Sequence, residues 1–303
     1  MVANKVYSVE DFCRSVVDNE ASAVALLEKF RETKADFGDA YWPDWCYLTP
    51  DIARAALGGD NAKGDDGFTR DRIYRFMAAV QWPQHKIVYR FDRALSAALT
   101  VQPFDPSIPT KIFDRFPQEC IYVEKNTRKG VNGMKGFFAW IGWEPKLKTR
   151  QLHLLLVKPD GGTYYQAVPI HFKTVGDAME VVVMCFREGL DLLVKDEKVD
   201  KPFAVECIGD YMNSIASECL SHLIYICSEG ADVGAGSNGN GGLTTIKIGG
   251  NIGSDVRAVL KRDGLCAHAR WRWFFLKRND GSRSLVCKWV PPMPVSMRDV
   301  AAK

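Results

Sequence analysis

The chain has 303 residues, of which 47% are hydrophobic and 25% charged, with a formal net charge of +3. This is an ordinary soluble globular composition, long enough to bury a core in one large domain or two smaller ones. No apolar run approaches the roughly 20 residues that span a bilayer, and Met1–Glu20 carries acidic residues and no apolar core, so neither a membrane anchor nor a secretory signal is expected, and a cytoplasmic location is. Nine cysteines without framework spacing fit reduced thiols packed as small hydrophobes. The charge is unevenly spread. Residues 243–303 hold twelve Lys/Arg against four Asp/Glu, a net of +8, which leaves −5 for residues 1–242. A basic final fifth on an acidic body points to an anionic partner, or to a solvated charged tail.

In chain order, Ser8-Val9-Glu10-Asp11 resembles a capping box and opens a helix from Val9 to about Glu32 with a break near Asn19. Asp36–Pro50 is an aromatic-rich connection, and Thr49-Pro50 starts a short helix through Leu57. The glycines of 58–67 predict a loop. Thr69 is placed as the cap of a helix with Ile73, Phe76, Met77 and Val80 on one face. After Trp82-Pro83, the spacing of Ile87, Phe91, Leu95 and Leu99 predicts a further helix. Three apolar runs follow: Cys120–Glu124, Gly136–Trp143 and Gln151–Val157. Each is rich in aromatic and branched side chains and bounded by Gly, Asn, Pro or Lys, which predicts an antiparallel meander at the centre of the fold.

Val168–Phe172 reads as another strand, and Thr174–Asp177 as a capping box opening a helix to about Val194. Lys201-Pro202 starts a helix to Cys227, with a buried stripe of Ile208, Met212, Ile215, Cys219, Leu223 and Ile226. Residues 230–253 hold nine glycines in 24 positions and predict a mobile loop or hinge. Ser254 caps a short helix, Asp255–Arg262. At the end, Ala267–Lys277 and Arg283–Val290 flank Asp280-Gly281, a strong hairpin signal. Strict alternation puts His268, Arg270 and Arg272 on one face of that hairpin, and Ala269, Trp271, Trp273 and Phe275 on the other. The expected class is α+β: a central antiparallel sheet flanked by helices, with a helical region at 1–104 and a sheet-centred domain at 105–303 that includes the 230–253 loop and the basic hairpin 267–290.

Few residues suggest chemistry. Gly234–Gly239 matches the literal dinucleotide fingerprint, but that motif needs a strand before it and a helix after it, so a loop is the better reading. Cys219 and His222 share a helix face at metal-ligand spacing, yet nothing completes a tetrahedral set, so a buried thiol beside a hydrogen-bonded histidine is expected instead of a metal site. His153 and His171 fall in strand-like runs, Asp65 and Asp66 in a loop, and no serine lies in a nucleophile elbow. No catalytic constellation, cofactor or metal is expected, and the chain reads more readily as a binding protein than as an enzyme. The candidate partner-binding residues are His268, Arg270, Trp271, Arg272, Trp273 and Lys288. Cations interleaved with tryptophans can grip a polypeptide or hold the phosphates and stack the bases of RNA. They can equally belong to a two-faced strand, with tryptophans in the core and arginines in water. A histidine beside arginines also leaves open ribonuclease chemistry.

Several segments together resemble a known family. Pro109-Thr110-Lys111-Ile112-Phe113, leading to Phe116-Pro117-Gln118-Glu119-Cys120-Ile121-Tyr122-Val123, is similar to a signature of proline, short turn and "LPxWCVYV"; Gly136–Ala139 follows at the expected place. Leu223–Glu229 is similar to "YLLWLC", Ile252–Arg257 to "LGSEVR", and Trp289-Val290-Pro291-Pro292 fits the ending. In this order, over about 105–297, they resemble the mobile-element family of anti-CRISPR proteins that includes the second-described type V-A inhibitor. The family's C-terminal strand commonly has His-x-Arg-x-x-His-Trp; here His268 and Arg270 match and Arg272 stands near the second histidine's place, which counts against a two-histidine catalytic pair. The resemblance implies a phage- or plasmid-borne inhibitor acting in the bacterial cytoplasm. Its partner would be the type V-A CRISPR effector nuclease, recognised through a segment of its polypeptide, including the nascent chain, with loss of the effector's message. RNA or the ribosome would be further partners, and a strand added to a sheet edge or a helix in a groove the means of recognition.

Overall fold

The computed structural model describes residues 8–58, 67–101, 104–125, 134–195, 218–239, 242–262 and 270–291. In chain order these form α1 (Val9–Asn19), α2 (Ala21–Glu32), α3 (Pro50–Ala56), α4 (Gly67–Gln81), β1 (Ile87–Phe91), α5 (Arg93–Val101), a 3₁₀ turn (Thr110–Arg115), β2 (Cys120–Glu124), β3 (Gly136–Glu144), β4 (Thr149–Val157), β5 (Thr163–Pro169), α6 (Val175–Lys195), α7 (Ser221–Cys227), β6 (Ser237–Asn238), β7 (Thr244–Ile248), α8 (Gly250–Arg262), β8 (Arg270–Lys277) and β9 (Arg283–Val290). The fold is α+β. Seven strands form one sheet in the order β5-β4-β3-β2-β1-β7-β6, and β8-β9 stand apart as a hairpin.

The expected meander is present: β2, β3, β4 and β5 pair antiparallel in sequence, with Tyr122 opposite Phe138 and Phe138 opposite Leu155. The central sheet is nevertheless mixed, because β1 lies parallel to both β2 and β7. Both faces are covered, which is why the central strands read as continuous apolar runs. Alternate residues serve two cores. Val88, Cys120, Tyr122, Phe138, Trp140, Leu155 and Val157 pack with Phe12, Leu27, Trp42, Phe76 and Trp82 from the first 82 residues. Tyr89, Phe91, Ile121, Val123, Phe137, Leu154 and Leu156 pack with α5 to α8 and the hairpin. The period of two in a strand thus becomes two hydrophobic layers.

Three of the expected caps form, whereas Thr69 lies inside α4, which begins at Gly67. Ser8 and Asp11 form the reciprocal capping box of α1, Thr49 caps α3 behind Pro50, and Thr174 and Asp177 exchange bonds of 3.1 Å at the start of α6. The seven described cysteines are unpaired, and all but Cys185 are buried.

Four further expectations are corrected. Ile87 and Phe91 belong to a strand, not a helix; α5 begins only at Arg93, where Asp92 Oδ1 accepts from the amides of Ala94 (2.8 Å) and Leu95 (3.4 Å). The 230–253 stretch is not a mobile loop, since β6, β7 and the first turn of α8 lie in it, and β7 pairs along all five residues of β1. Helix α8 starts at Gly250 and not after Ser254, because Asp232 supplies the cap, accepting from the amides of Asn251 (2.7 Å) and Ile252 (3.1 Å). The strand expected at Val168–Phe172 ends at Pro169, beyond which the chain turns so that Thr174 bridges Pro109. The loop at 59–66 and the helix expected from Lys201 lie outside the described residues, apart from the helix's final turns.

Candidate functional site

The hairpin β8-β9 meets the body of the fold at a groove of about 610 Å³. One wall is the 3₁₀ turn with Lys111 and Asp114, a second the β3–β4 turn with Trp143, Lys148 and Arg150, and a third the exit of β5 with His171, Phe172 and Lys173. Trp273 and Phe275 of β8 close the fourth side. The stretch Ser107–Thr110 joins these walls. Ser107 Oγ accepts from Trp273 Nε1 at 3.0 Å while donating to Asp105 at 2.6 Å. Thr110 Oγ1 donates to the carbonyl of Phe172 at 2.5 Å, and the amide of Val175 donates to the carbonyl of Ile108 at 2.8 Å. Groove and hairpin are therefore tied to one short segment by three hydrogen bonds, the first of them held by the Ser107–Asp105 bond within the segment.

The groove is cationic. Lys111, Lys148, Arg150 and Lys173 line it against the single carboxylate of Asp114, which pairs with Arg150 at 2.7 Å. Arg150 also lies over the Trp45 ring at 5.6 Å, and it lines a neighbouring hollow of about 350 Å³ with Trp45, Phe113, Phe116 and Ile141. Lys148 holds the left-handed backbone at φ 50°, uncommon outside glycine, where the β3–β4 turn presents its ammonium. Aromatic walls, three cations that have no ion pair among the described residues, and room for several side chains suit an extended anionic ligand with a large apolar group.

A second polar cluster is sealed inside. His222 Nε2 contacts Ser96 Oγ at 2.9 Å, and beside them Lys125 pairs with Glu218, their side chains 3% and 1% exposed. Burial, aided by the charge of Lys125, pushes His222 down to about 3; burial also brings Lys125 down to about 8 and lifts Cys219 to about 12. Ser96 and His222 are 4% and 1% exposed, so this pair has no open face for a substrate. It is the buried thiol and bonded histidine expected from the Cys219–His222 spacing. On the opposite face of the sheet His153 is enclosed likewise, bonded to Tyr165 at 2.6 Å and stacked on Trp140.

The model of the AcrVA2-like family, the anti-CRISPR type V subtype A2 family, matches residues 89–297. The chain belongs to this family. No curated protein matches it. A solved crystal structure of AcrVA2 superposes with a TM-score of 0.63 at 15% identity, covering 94% of this chain and 97% of that one, and shares its fold.

The segments that carry the likeness to the AcrVA2-like family have structural work to do. Within Pro109–Phe113, Thr110 ties the groove wall at Phe172 and Lys111 lines the groove. The Tyr225 hydroxyl accepts from the amide of Asp232, the residue that caps α8. Gly253 lies where any Cβ would collide with the Asp92 carboxylate, and Arg257, one turn on, pairs with that carboxylate at 2.6 Å. The Ile252–Arg257 motif thus locks α8 onto the cap of α5.

The candidate residues from the sequence are dispersed over two faces. Trp271 is buried opposite Trp289, at 8% and 6% exposure, and anchors the hairpin in the core beside Tyr225. Trp273 is half-buried and reaches the groove. Arg270, Arg272 and Lys288 are exposed on the other face, with Arg272 directly opposite Lys288. His268 lies outside the described residues. Sequence reasoning missed the groove cations, because Lys111, the Lys148–Arg150 pair and Lys173 come from three turns distant in sequence.

Proposed function

We propose that this protein is an anti-CRISPR protein that recognises a polypeptide segment of the type V-A CRISPR effector and suppresses the effector's production. Membership in the anti-CRISPR type V subtype A2 family supports the target. The observation that carries the recognition step is the groove between the Trp273 edge of the hairpin and the turns bearing Lys111, Lys148, Arg150 and Lys173. An extended segment seats one large apolar side chain against Trp273, Phe172 and Phe275, and places its carboxylates among the lysines. Aromatic and arginine groups are the residues that dominate such contacts, and the fixed walls spare the ligand part of its ordering cost. The protein acts at this step by binding, with no small-molecule reaction of its own, and it meets the effector, including its nascent chain, in the cytoplasm of a cell carrying the mobile element.

The test is co-purification of the tagged protein from cells expressing a type V-A effector, with the effector's level measured in the same cells. Retention of an effector fragment at micromolar concentration and a fall in effector level are expected. Trp273→Ala and Lys148→Glu should abolish both. A normal effector level with no fragment retained refutes the reading.

A further inference from the structure

The hairpin has a second face that the groove does not use. Arg270, Arg272, Phe274 and Leu276 alternate, all exposed, on the second face of β8, and the register sets Lys288 directly across from Arg272, while Val286, across from Phe274, is buried. Cross-strand side chains stand only about 5 Å apart, and like charges so placed oppose folding. Nevertheless, no carboxylate among the described residues pairs with Arg270, Arg272 or Lys288, and all three are exposed. Across 270–290 the hairpin carries six cations, Arg270, Arg272, Lys277, Arg278, Arg283 and Lys288, against Asp280 alone. Beside the arginines, Phe274 is 50% exposed, a large aromatic ring held out in water.

We propose that this outer face binds single-stranded RNA. The cations take the phosphates, with Arg270 and Arg272 about 6.7 Å apart along the strand, and Phe274, next after Arg272 on this face, stacks an unpaired base beside them. The exposed ring decides against a duplex. A β-ribbon can enter the major groove of B-form DNA, but the major groove of duplex RNA is too deep and narrow for side chains to read, and its stacked bases leave no free face for the ring. The exposed cations and projecting ring of β8 form a row that an unpaired strand can follow and a stacked helix cannot. An acidic peptide would neutralise the same cations, but it has no use for a ring exposed beside them.

The test uses the full chain and a fluorescent oligouridine of about 20 nucleotides, followed by anisotropy from about 50 to about 300 mM KCl. Three phosphate contacts predict an affinity that falls with salt along a log–log slope of about −2 from this face. Replacing Arg270, Arg272 and Lys288 together with alanine should remove about 2 from the slope and weaken binding at least about 10-fold at low salt. Phe274→Ala should weaken binding about 5-fold or more and leave the slope unchanged. These residues are exposed, so the variants keep the fold, and effector-peptide capture by the groove should persist in all of them. That separates failure here from failure of the polypeptide reading. Parent-like affinity and slope in the triple variant would overturn the proposal, as would stronger binding of a duplex or of oligothymidine of equal length. Complete displacement of the RNA by polyglutamate, with no effect of Phe274→Ala, would assign the face to an acidic peptide instead.

Discussion

His153 and His222 are fully enclosed, and burial pushes both imidazoles down to about 3 from the ordinary 6.5, with added help from the charges of Arg70 and Lys125 respectively. In the unfolded chain both titrate near 6.5. Between about pH 6.5 and about pH 3 the unfolded chain therefore holds two protons that the folded chain refuses, and stability falls as the pH drops through that window. Each pH unit there removes about 1.4 kcal/mol per histidine, so acidification from about 7.5 to about 5.5 should cost about 3 kcal/mol for the pair. That is a large share of a typical stability of about 5–15 kcal/mol. Urea denaturation at the two pH values measures it. His153→Gln and His222→Gln should each remove about half of the pH dependence, whatever they cost at neutral pH. Taking the difference between the two pH values cancels both the altered packing and the carboxylates common to all three proteins. If parent and variants lose the same stability on acidification, the histidines are not held neutral by burial and the reasoning fails.

Three further outcomes follow from the packing. Gly253→Ala should destabilise by about 2–3 kcal/mol, since its methyl displaces the Asp92 carboxylate from the α5 cap and from Arg257; a loss under about 0.5 kcal/mol in urea denaturation would show that α8 shifts freely. Asp232→Ala should cost about 1 kcal/mol through the lost cap on α8, with Asp232→Asn losing less, and equal losses would remove the capping account. Lys125→Met leaves Glu218 buried without its counter-charge and should cost about 3–5 kcal/mol, whereas Lys125→Met with Glu218→Gln should recover most of that, so an additive double variant would argue against a coupled pair.

Much of this architecture was legible in the residues. The strands β2, β3 and β4 announced themselves as aromatic and branched runs closed by Gly, Pro and Lys, and Asp280-Gly281 marked the last turn, where Gly281 takes φ 81°. The Ser8 and Thr174 capping boxes needed only local chemistry. Strand β1 misled because residues four apart share a face in a strand as well as in a helix, so Ile87 and Phe91 fit either period until the cap at Asp92 divides them. Strand β7 was hidden among glycines, since what makes Thr244–Ile248 a strand is parallel pairing with β1, a contact distant in sequence. The start of α8 was set by Asp232, nineteen residues before Asn251. The tryptophan–arginine alternation was visible, but not its division of labour: Trp271 anchors, Trp273 lines the groove, and the arginines face outward. The groove itself is a product of tertiary structure, with cations from three turns converging on one side of the hairpin.

Photo-crosslinking from the groove tests the polypeptide reading most directly. With Phe275 replaced by a photoreactive benzoylphenylalanine, irradiation in cells expressing a type V-A effector should join the protein to one defined segment of the effector chain, and Lys148→Glu should abolish the product. An effector that crosslinks only from the Arg272 position, or that co-purifies without ever crosslinking from Phe275, would contradict it.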